Sequence, residues 1–303
     1  MKTLVIDIPH GLAYPSSVLS ALKVYAHKNN VYEIYVTGDY GDMSILEGTE
    51  RISCHYLEDG KDSTALALEK LMDKESVGLV SFAERKALKE TAIRLLPKSY
   101  APTYGLFFET KESGKPALLI EAAGFGGTKE SDLRNNYEFG VAYMSNVVGV
   151  KDLKAGLLTL PGIETPDELA FDEAARKEYR NYGGLISPSD VFKGDSRLII
   201  AGGRSGAFVI QGARESRKVE ANLEKIRSSK SVSASFSSLF AKKTSNDTFD
   251  PRLDENGYLL FGFGYGIADL PLDCGYGNVI DALETITRID RSQPYRNEGL
   301  PKQ

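Results

Sequence analysis

The stretch Arg197-Leu-Ile-Ile-Ala-Gly-Gly-Arg-Ser-Gly206 joins an apolar run to a glycine-rich turn. Its first part, Arg197–Ala201, is rich in branched residues, which predicts a buried β-strand. The turn opens directly into Ala207–Ser228, whose pattern predicts a helix. A strand that passes through glycines into a helix is the repeating unit of α/β proteins, so this stretch indicates an α/β fold.

The same alternation of short apolar runs and longer helical patterns extends over most of the chain. The other predicted strands are Thr3–Ile8, Val31–Thr37, Arg51–Tyr56, Val77–Phe82, Ala117–Ala122, Ala155–Leu160 and Tyr258–Phe263. The other predicted helices are Ser16–Lys28, Ser63–Lys74, Glu84–Leu96, Ser131–Val148, Pro166–Tyr179 and Asn278–Ile289. Strand–helix alternation gives right-handed crossovers and a mainly parallel sheet with helices on both faces. We therefore predict a three-layer α/β/α, Rossmann-like fold.

The helix Ser131–Val148 has the clearest periodicity of the chain. Its apolar residues recur at spacings of three and four and form one stripe: Leu133, Tyr137, Val141, Met144 and Val148. Such a stripe is typical of the core-facing side of a helix.

Composition and charge exclude several classes of protein. The 303 residues carry a net charge of −5, and no basic stripe suggests a nucleic-acid partner. Cys54 and Cys274 lie far apart, which fits a reducing compartment, and no apolar run is long enough to span a membrane. We expect a soluble cytoplasmic protein with one domain over residues 1–303. A flexible or helical excursion, rich in Ser, Lys and Thr, is predicted at 230–250.

Four glycine-rich turns follow predicted strands or precede a helix, and ligands of parallel sheets bind at the carboxyl ends of strands. The turns are Gly124-Phe125-Gly126-Gly127, Gly202-Gly203-Arg204-Ser205-Gly206, Gly262-Phe263-Gly264-Tyr265-Gly266 and Gly275-Tyr276-Gly277.

The turn Gly203–Gly206 is the candidate anion site. Free amides and the dipole at a helix start favour an anion, and Arg204 can clamp phosphate or carboxylate. The alternative is a turn that needs positive φ, with Arg204 merely solvated. For the other turns, Tyr265 and Tyr276 would wall an apolar pocket, and the alternative is that they pack structurally.

Few ionisable residues stand where they would serve a reaction. His10 follows the first strand, and Asp7 ends it, where its carboxylate would orient a loop or meet a ligand. Glu164 and Glu168 would reach a site or simply start a helix, where acidic residues are favoured. No GxSxG motif and no metal-ligand spacing of His and Cys occur.

The order of these loops resembles the phosphate acyltransferase (PlsX) family, which transfers an acyl group from acyl carrier protein to phosphate. The helix with Gly140 and Tyr143, ending in Val148-Gly149-Val150-Lys151, is similar to the family's Met-Gly-x-x-Tyr-Ala-x-x-x-Leu-Gly-Ile-Lys. Gly202-Gly203-Arg204-Ser205-Gly206-Ala207 stands where the family has Asp-Gly-Phe-Thr-Gly-Asn, and Lys129 is kept. Over residues 4–289 the family order persists.

Other family motifs are replaced. Ser81-Phe82-Ala83-Glu84-Arg85-Lys86-Ala87 stands where the family has Ser-Ala-Gly-Asn-Thr-Gly-Ala, and Cys274-Gly275-Tyr276-Gly277-Asn278 where it has His-Gly-Ser-Ser-Asp. In the first loop, Asp7, Gly11 and Pro15 match, whereas His10, Leu12 and Ala13 replace Gly, Asp and His.

The resemblance implies a fold of the isopropylmalate dehydrogenase type, a homodimer, a phosphate site and no cofactor. It also implies acyl carrier protein or acyl-CoA as partner, and peripheral membrane contact through the segment at 230–250. Three functions follow. The chain forms acyl phosphate for phospholipid synthesis with a rearranged site, or binds a ligand or partner without turnover. Alternatively, it acts as a subunit, as in the glycine reductase complex, whose acyl-transfer component it resembles more faintly.

Overall fold

The computed structural model describes residues 1–9, 16–39, 43–57, 62–95, 103–111, 116–124, 127–228, 258–261, 266–270 and 274–291. The strands are β1 (Lys2–Asp7), β2 (Tyr32–Gly38), β3 (Ile52–Tyr56), β4 (Ser76–Ser81), β5 (Thr103–Glu109), β6 (Pro116–Ile120), β7 (Ala155–Leu158), β8 (Tyr182–Ile186), β9 (Leu198–Ala201), β10 (Tyr258–Phe261) and β11 (Gly266–Asp269). The α-helices are α1 (Ser16–Lys28), α2 (Ser63–Leu71), α3 (Arg85–Leu95), α4 (Glu130–Ala142), α5 (Pro166–Glu178), α6 (Ser205–Ser228) and α7 (Tyr276–Arg291).

The eleven described strands form one sheet in the order β3-β2-β1-β4-β11-β10-β5-β6-β9-β7-β8. Pairing is parallel from β3 to β11 and again from β6 to β8. The three pairs in the middle, β11 with β10, β10 with β5 and β5 with β6, are antiparallel. The two parallel groups therefore run in opposite directions, and their carboxyl ends lie at opposite edges of the sheet.

Helices cover both faces of the sheet, because successive strand residues point to opposite sides. In β1, Leu4 and Ile6 join a core formed with α1, α4, α5 and α7, whereas Val5 joins a second core formed with α2, α3 and α6. All three side chains are fully buried. The predicted three-layer, mainly parallel α/β fold is confirmed.

Most predicted elements are present with ends shifted by one to three residues. Three strands that the sequence did not predict are β5, β8 and β11. Strand β8 has the sequence Tyr-Gly-Gly-Leu-Ile, and Gly184 adopts a φ of 101°. Glycine weakens a strand interior, so local propensity argues against a strand that pairing with β7 nevertheless stabilises.

The predicted helix Ser131–Val148 is not one α-helix. Helix α4 ends at Ala142, and Tyr143–Val147 forms a π-helical turn in which the Val148 amide donates to the Tyr143 carbonyl. Tyr143 and Met144 are nevertheless buried, so the apolar stripe still faces the core.

Within the described ranges, no helix is both long and apolar enough to cross a membrane. The excursion predicted at 230–250 lies outside the described residues. Cys54 and Cys274 are both free thiols.

Candidate functional site

The glycine-rich turn between β9 and α6 is held by one hydrogen bond to a neighbouring loop and one within the turn. Gly203 adopts a φ of 55°, as the sequence suggested, and its amide donates to the Gly127 carbonyl at 3.3 Å. The Ser205 hydroxyl donates to the Gly202 carbonyl at 2.8 Å. Both contacts fix the chain just before α6 begins.

A second loop, after β6, packs against this turn so closely that only glycine fits. A Cβ placed on Gly206 would lie 2.5 Å from the Glu121 carbonyl oxygen. A Cβ on Gly124, whose φ is 75°, would lie 3.0 Å from the Ala207 Cβ and 3.6 Å from the Arg204 Cγ. The structure therefore brings together the two glycine loops that the sequence singled out.

At the start of α6, two backbone amides have no hydrogen-bond partner among the described residues. The Phe208 amide makes the first helical hydrogen bond, to the Arg204 carbonyl at 3.0 Å. The amides of Gly206 and Ala207 precede it and have no carbonyl four residues back within the helix. Arg204 is exposed, and no ion pair joins it to a carboxylate in the described part of the chain. Amides, helix dipole and guanidinium together give this end of α6 a positive character.

The loop after β7 borders the turn on a third side. The position of a Cβ on Gly202 is 3.6 Å from the Glu168 Oε1. The Thr165 hydroxyl accepts from the Glu168 amide at 3.2 Å, and the Glu168 carboxylate accepts from the Thr165 amide at 2.7 Å. This reciprocal pair caps α5, so the helix-start interpretation of Glu168 is confirmed.

The carboxylate of Glu164 is held by its own turn. Both of its oxygens accept from the Gly162 amide, at 3.1 and 3.0 Å. Lys129 is exposed and directly precedes α4, where its amide donates to Asp132 Oδ2 at 3.3 Å. Lys129 follows Thr128, whose Cγ2 lies 2.9 Å from the position of a Cβ on Gly203, whereas the hydrogen bonds that the Glu164 carboxylate makes with described residues stay within its own turn.

Asp7 lies elsewhere. It ends β1, six positions from β9 in the sheet order and in the parallel group whose carboxyl ends face the other edge. Its buried Oδ2 accepts from the hydroxyls of Thr64 and Ser81 at 2.8 and 2.7 Å, whereas Oδ1 has no partner among the described residues. Burial raises the pKa of this carboxyl, and the two hydroxyls offset part of the rise. The structure does not bring Asp7 to the glycine turns.

Glu121 is a residue of the junction that the sequence reasoning missed. Its carboxylate is buried and accepts from the Thr103 hydroxyl at 2.7 Å, and its backbone has a φ of 65°. Positive φ in a residue with a side chain stores strain, which is concentrated at functional sites. Buried Lys89 of α3 interacts electrostatically with Glu121. Burial lowers the pKa of the Lys89 ammonium, and the negative charge of Glu121 opposes that shift. The sequence signal for Glu121 is a carboxylate near the end of the predicted strand Ala117–Ala122.

Tyr276, another predicted pocket residue, does not lie at this junction. Tyr276 begins α7 and lines a cavity of about 560 Å³ between α1 and α7, together with Lys28, Arg288 and Arg291. His10, Gly126 and Tyr265 lie outside the described residues. In the described ranges, no group of three or more His, Cys, Asp or Glu residues is arranged to hold a metal ion.

The fold is shared with solved structures of a phosphotransacylase and of phosphotransacetylases. A phosphotransacetylase from Streptococcus pyogenes superposes with a TM-score of 0.62 over 95% of this chain and 93% of its own, at 12% identity. Likeness at that identity shows the fold alone. The chain therefore has the α/β fold seen in a phosphotransacetylase.

Comparison of sequences finds proteins with higher identity to the chain, although no protein family model matches it. A phosphate acyltransferase of Acholeplasma laidlawii is 24% identical over 198 residues, which are 63% of this chain and 58% of that protein. One from Anaplasma phagocytophilum is 29% identical over 131 residues, 41% of this chain and 38% of that protein. The matches thus span roughly a third to a little over half of those relatives. The chain is thus similar in sequence, at low identity, to phosphate acyltransferases, as the order of its loops predicted.

Proposed function

We propose that the chain transfers an acyl group from a thioester to inorganic phosphate, releasing acyl phosphate and a thiol. The observation that carries this proposal is the junction at the start of α6, where two helix amides make no hydrogen bond to the described residues and Arg204 is exposed. An anion at a helix start is stabilised by the free amides and by the dipole. The similarity to phosphate acyltransferases supports phosphate as that anion.

In the proposed reaction, a phosphate oxygen attacks the thioester carbonyl carbon. The carbon–sulfur bond then breaks, and the thiolate leaves and takes up a proton. The part of this chain is to hold phosphate on the Gly206 and Ala207 amides beside Arg204, which orients one oxygen for attack. Positioning of two reactants in this way replaces a bimolecular encounter by a step within one complex.

The acyl donor is proposed to be acyl carrier protein or acyl-CoA, and the active form a homodimer in the cytoplasm, with a role in phospholipid synthesis. Peripheral membrane contact through residues 230–250 belongs to the same proposal. These points rest on the resemblance.

Trapping of the product tests the proposal. Purified protein is incubated with phosphate and either acyl-loaded carrier protein or short- and long-chain acyl-CoA, and acyl phosphate is converted to hydroxamate with hydroxylamine. We expect hydroxamate with at least one donor. No hydroxamate above the blank with any donor would contradict turnover and leave a binding function, and activity only with a co-purified partner would assign the chain to a complex.

The role of Arg204 is tested by Arg204→Ala, which we expect to weaken phosphate binding by about tenfold, since a charge-assisted contact contributes roughly 1.5 kcal/mol. Arg180→Ala is the matched control, because Arg180 is also exposed but follows α5, at the end of that helix away from the turn. Binding of phosphate is measured by calorimetry. Equal affinities in Arg204→Ala and Arg180→Ala would remove Arg204 from the site.

A further inference from the structure

An apolar groove runs along the first turns of α6 and begins at the glycine turn. Its volume is about 560 Å³. One wall is the helix, with Phe208, Val209 and Gly212, and the other comes from the loops after β7 and β8, with Leu160 and Phe192. Phe208 and Leu160 are 67% and 43% exposed, so the two walls of the groove present apolar surface to solvent.

The ends of the groove are defined by helix positions. Ser205, in the glycine turn, lines one end, and Ser216 lies eleven residues further along the helix. At the usual rise per residue, these positions are about 16 Å apart. None of the described residues that line the groove is ionisable. The groove is therefore long, open and lined by described residues without ionisable groups, and one end of it reaches the start of α6.

The absence of ionisable side chains among the described residues of the groove, and the amides and Arg204 at its end, indicate which kind of ligand fits it. An aliphatic chain fits the uncharged length, and a head group with partial or full negative charge on oxygen fits the amides and Arg204 at the end. A charged peptide would leave its charges without partners along the groove, at a desolvation cost. The volume lies within the range of small-molecule sites.

We propose that this groove holds the aliphatic chain of the acyl group, and that Gly212 sets the chain length the protein accepts. The proposal rests on the function proposed above and names the part of the substrate that the groove selects. Gly212 is the residue to change, because a Cβ at this position would meet no atom within 4 Å. Because Gly212 lines the groove, a side chain there would reduce the free space beside it without displacing protein atoms.

The test measures binding without turnover, so that it is independent of the acyl-transfer assay. Butanoate, octanoate and dodecanoate serve as probes in calorimetry, because their carboxylates offer oxygen atoms to the start of α6. We expect affinity to rise with chain length, since each methylene removed from water strengthens binding about fourfold. In Gly212→Leu, the gain from butanoate to dodecanoate should be lost, and butanoate should bind as before.

Gly277→Leu is the matched control. Gly277 is also an exposed helical glycine at which a Cβ would meet no atom within 4 Å, but it lies in α7. This variant should bind all three probes like the unaltered protein. Phe208→Ser provides a second variant at an exposed position, and it should weaken dodecanoate more than butanoate. Circular dichroism checks that each variant is folded.

Three outcomes would contradict the proposal that the groove holds the aliphatic chain. Affinity could be independent of chain length, Gly212→Leu could bind dodecanoate normally, or Gly277→Leu could lose binding equally. A fourth is that Gly212→Leu and Phe208→Ser convert a dimer to a monomer in sedimentation without altering probe binding, which would make the groove a contact between copies. Binding that depends on chain length, without hydroxamate formation, would support the groove as a binding site and contradict the proposed acyl transfer. Hydroxamate formation without such binding would support acyl transfer and contradict the role of the groove.

Discussion

Two glycines in the first half of α6 have opposite surroundings. Gly206 is buried, and a Cβ on it would lie 2.5 Å from the Glu121 carbonyl oxygen, whereas Gly212 faces open space. The same residue type is thus required for close packing at one position and for an open groove at the other.

Alanine at the two positions should therefore change stability in opposite directions. Gly206→Ala forces α6 away from the end of β6, and we expect a loss of about 1–3 kcal/mol in the free energy of unfolding. Gly212→Ala should raise the free energy of unfolding by about 0.5–1 kcal/mol, because alanine is the better helix former and its Cβ meets no neighbour. Urea denaturation measures both changes. Destabilisation of equal size in the two variants would contradict this difference in packing.

At the residue scale, the sequence predicted the backbone of the site better than its side chains. The positive φ of Gly203 could be predicted because the residue type itself permits it. The positive φ of Glu121 could not, because it is imposed by the contact of its loop with Gly206. The proximity of Lys89 to Glu121 also depends on how α3 crosses the sheet, which no local pattern encodes.

Helix α5 illustrates the scale of a single element. Its first turn carries the reciprocal hydrogen bonds between Thr165 and Glu168, with proline at the first helical position. Thr165 is exposed, so removal of its hydroxyl alters capping without opening the core.

Thr165→Ala should lower the free energy of unfolding by about 1 kcal/mol, the usual contribution of a helix cap. Thr165→Ser keeps the hydroxyl and is expected to stay close to the unaltered protein. The measurement is guanidinium denaturation followed by circular dichroism. If serine and alanine destabilise the protein to the same extent, the hydroxyl is not the group that matters.

The elements that sequence missed are those stabilised mainly by their neighbours. β11 has only four residues, Gly-Ile-Ala-Asp, and forms because β4 and β10 flank it. β5 is antiparallel to both β10 and β6, in a sheet for which alternation of strands and helices predicts parallel pairing. The π-helical turn Tyr143–Val147 was missed because its apolar spacing continues that of α4.

At the scale of the whole molecule, α3 connects the first parallel group to the antiparallel middle of the sheet. Arg85 donates to Asp269 of β11 at 2.6 Å, and its carbonyl accepts from the Tyr104 hydroxyl of β5 at 2.8 Å. The side chain of Asp269 is 3% exposed and that of Arg85 is 31% exposed. The carboxylate therefore depends on the pair more than the guanidinium does.

Removal of the two partners should have unequal effects. Arg85→Met leaves a buried carboxylate without its cation, at a cost of about 3 kcal/mol. Asp269→Asn leaves a guanidinium that reaches solvent and should cost less. Thermal and urea unfolding of both variants and of the double variant measure this difference, and a larger loss in Asp269→Asn would contradict it.

The effect of Arg85→Met should also depend on pH. Burial already raises the pKa of Asp269 above its ordinary value of 3.8, and Arg85 opposes that rise. Without Arg85 the pKa rises further, so the folded protein holds its proton to higher pH than the unfolded chain. The difference in the free energy of unfolding between Arg85→Met and the unaltered protein should then be smallest below about pH 4. It should grow as pH rises, because the variant loses more stability. A constant difference from pH 4 to 8 would show that the carboxylate is not the source.

The reversal of strand direction in the middle of the sheet lets the two edges change independently over evolutionary time. Asp7 and Ser81 lie at strand ends of one edge, whereas Gly203 follows a strand that ends at the other. Selection can thus rebuild one edge while the other keeps its backbone.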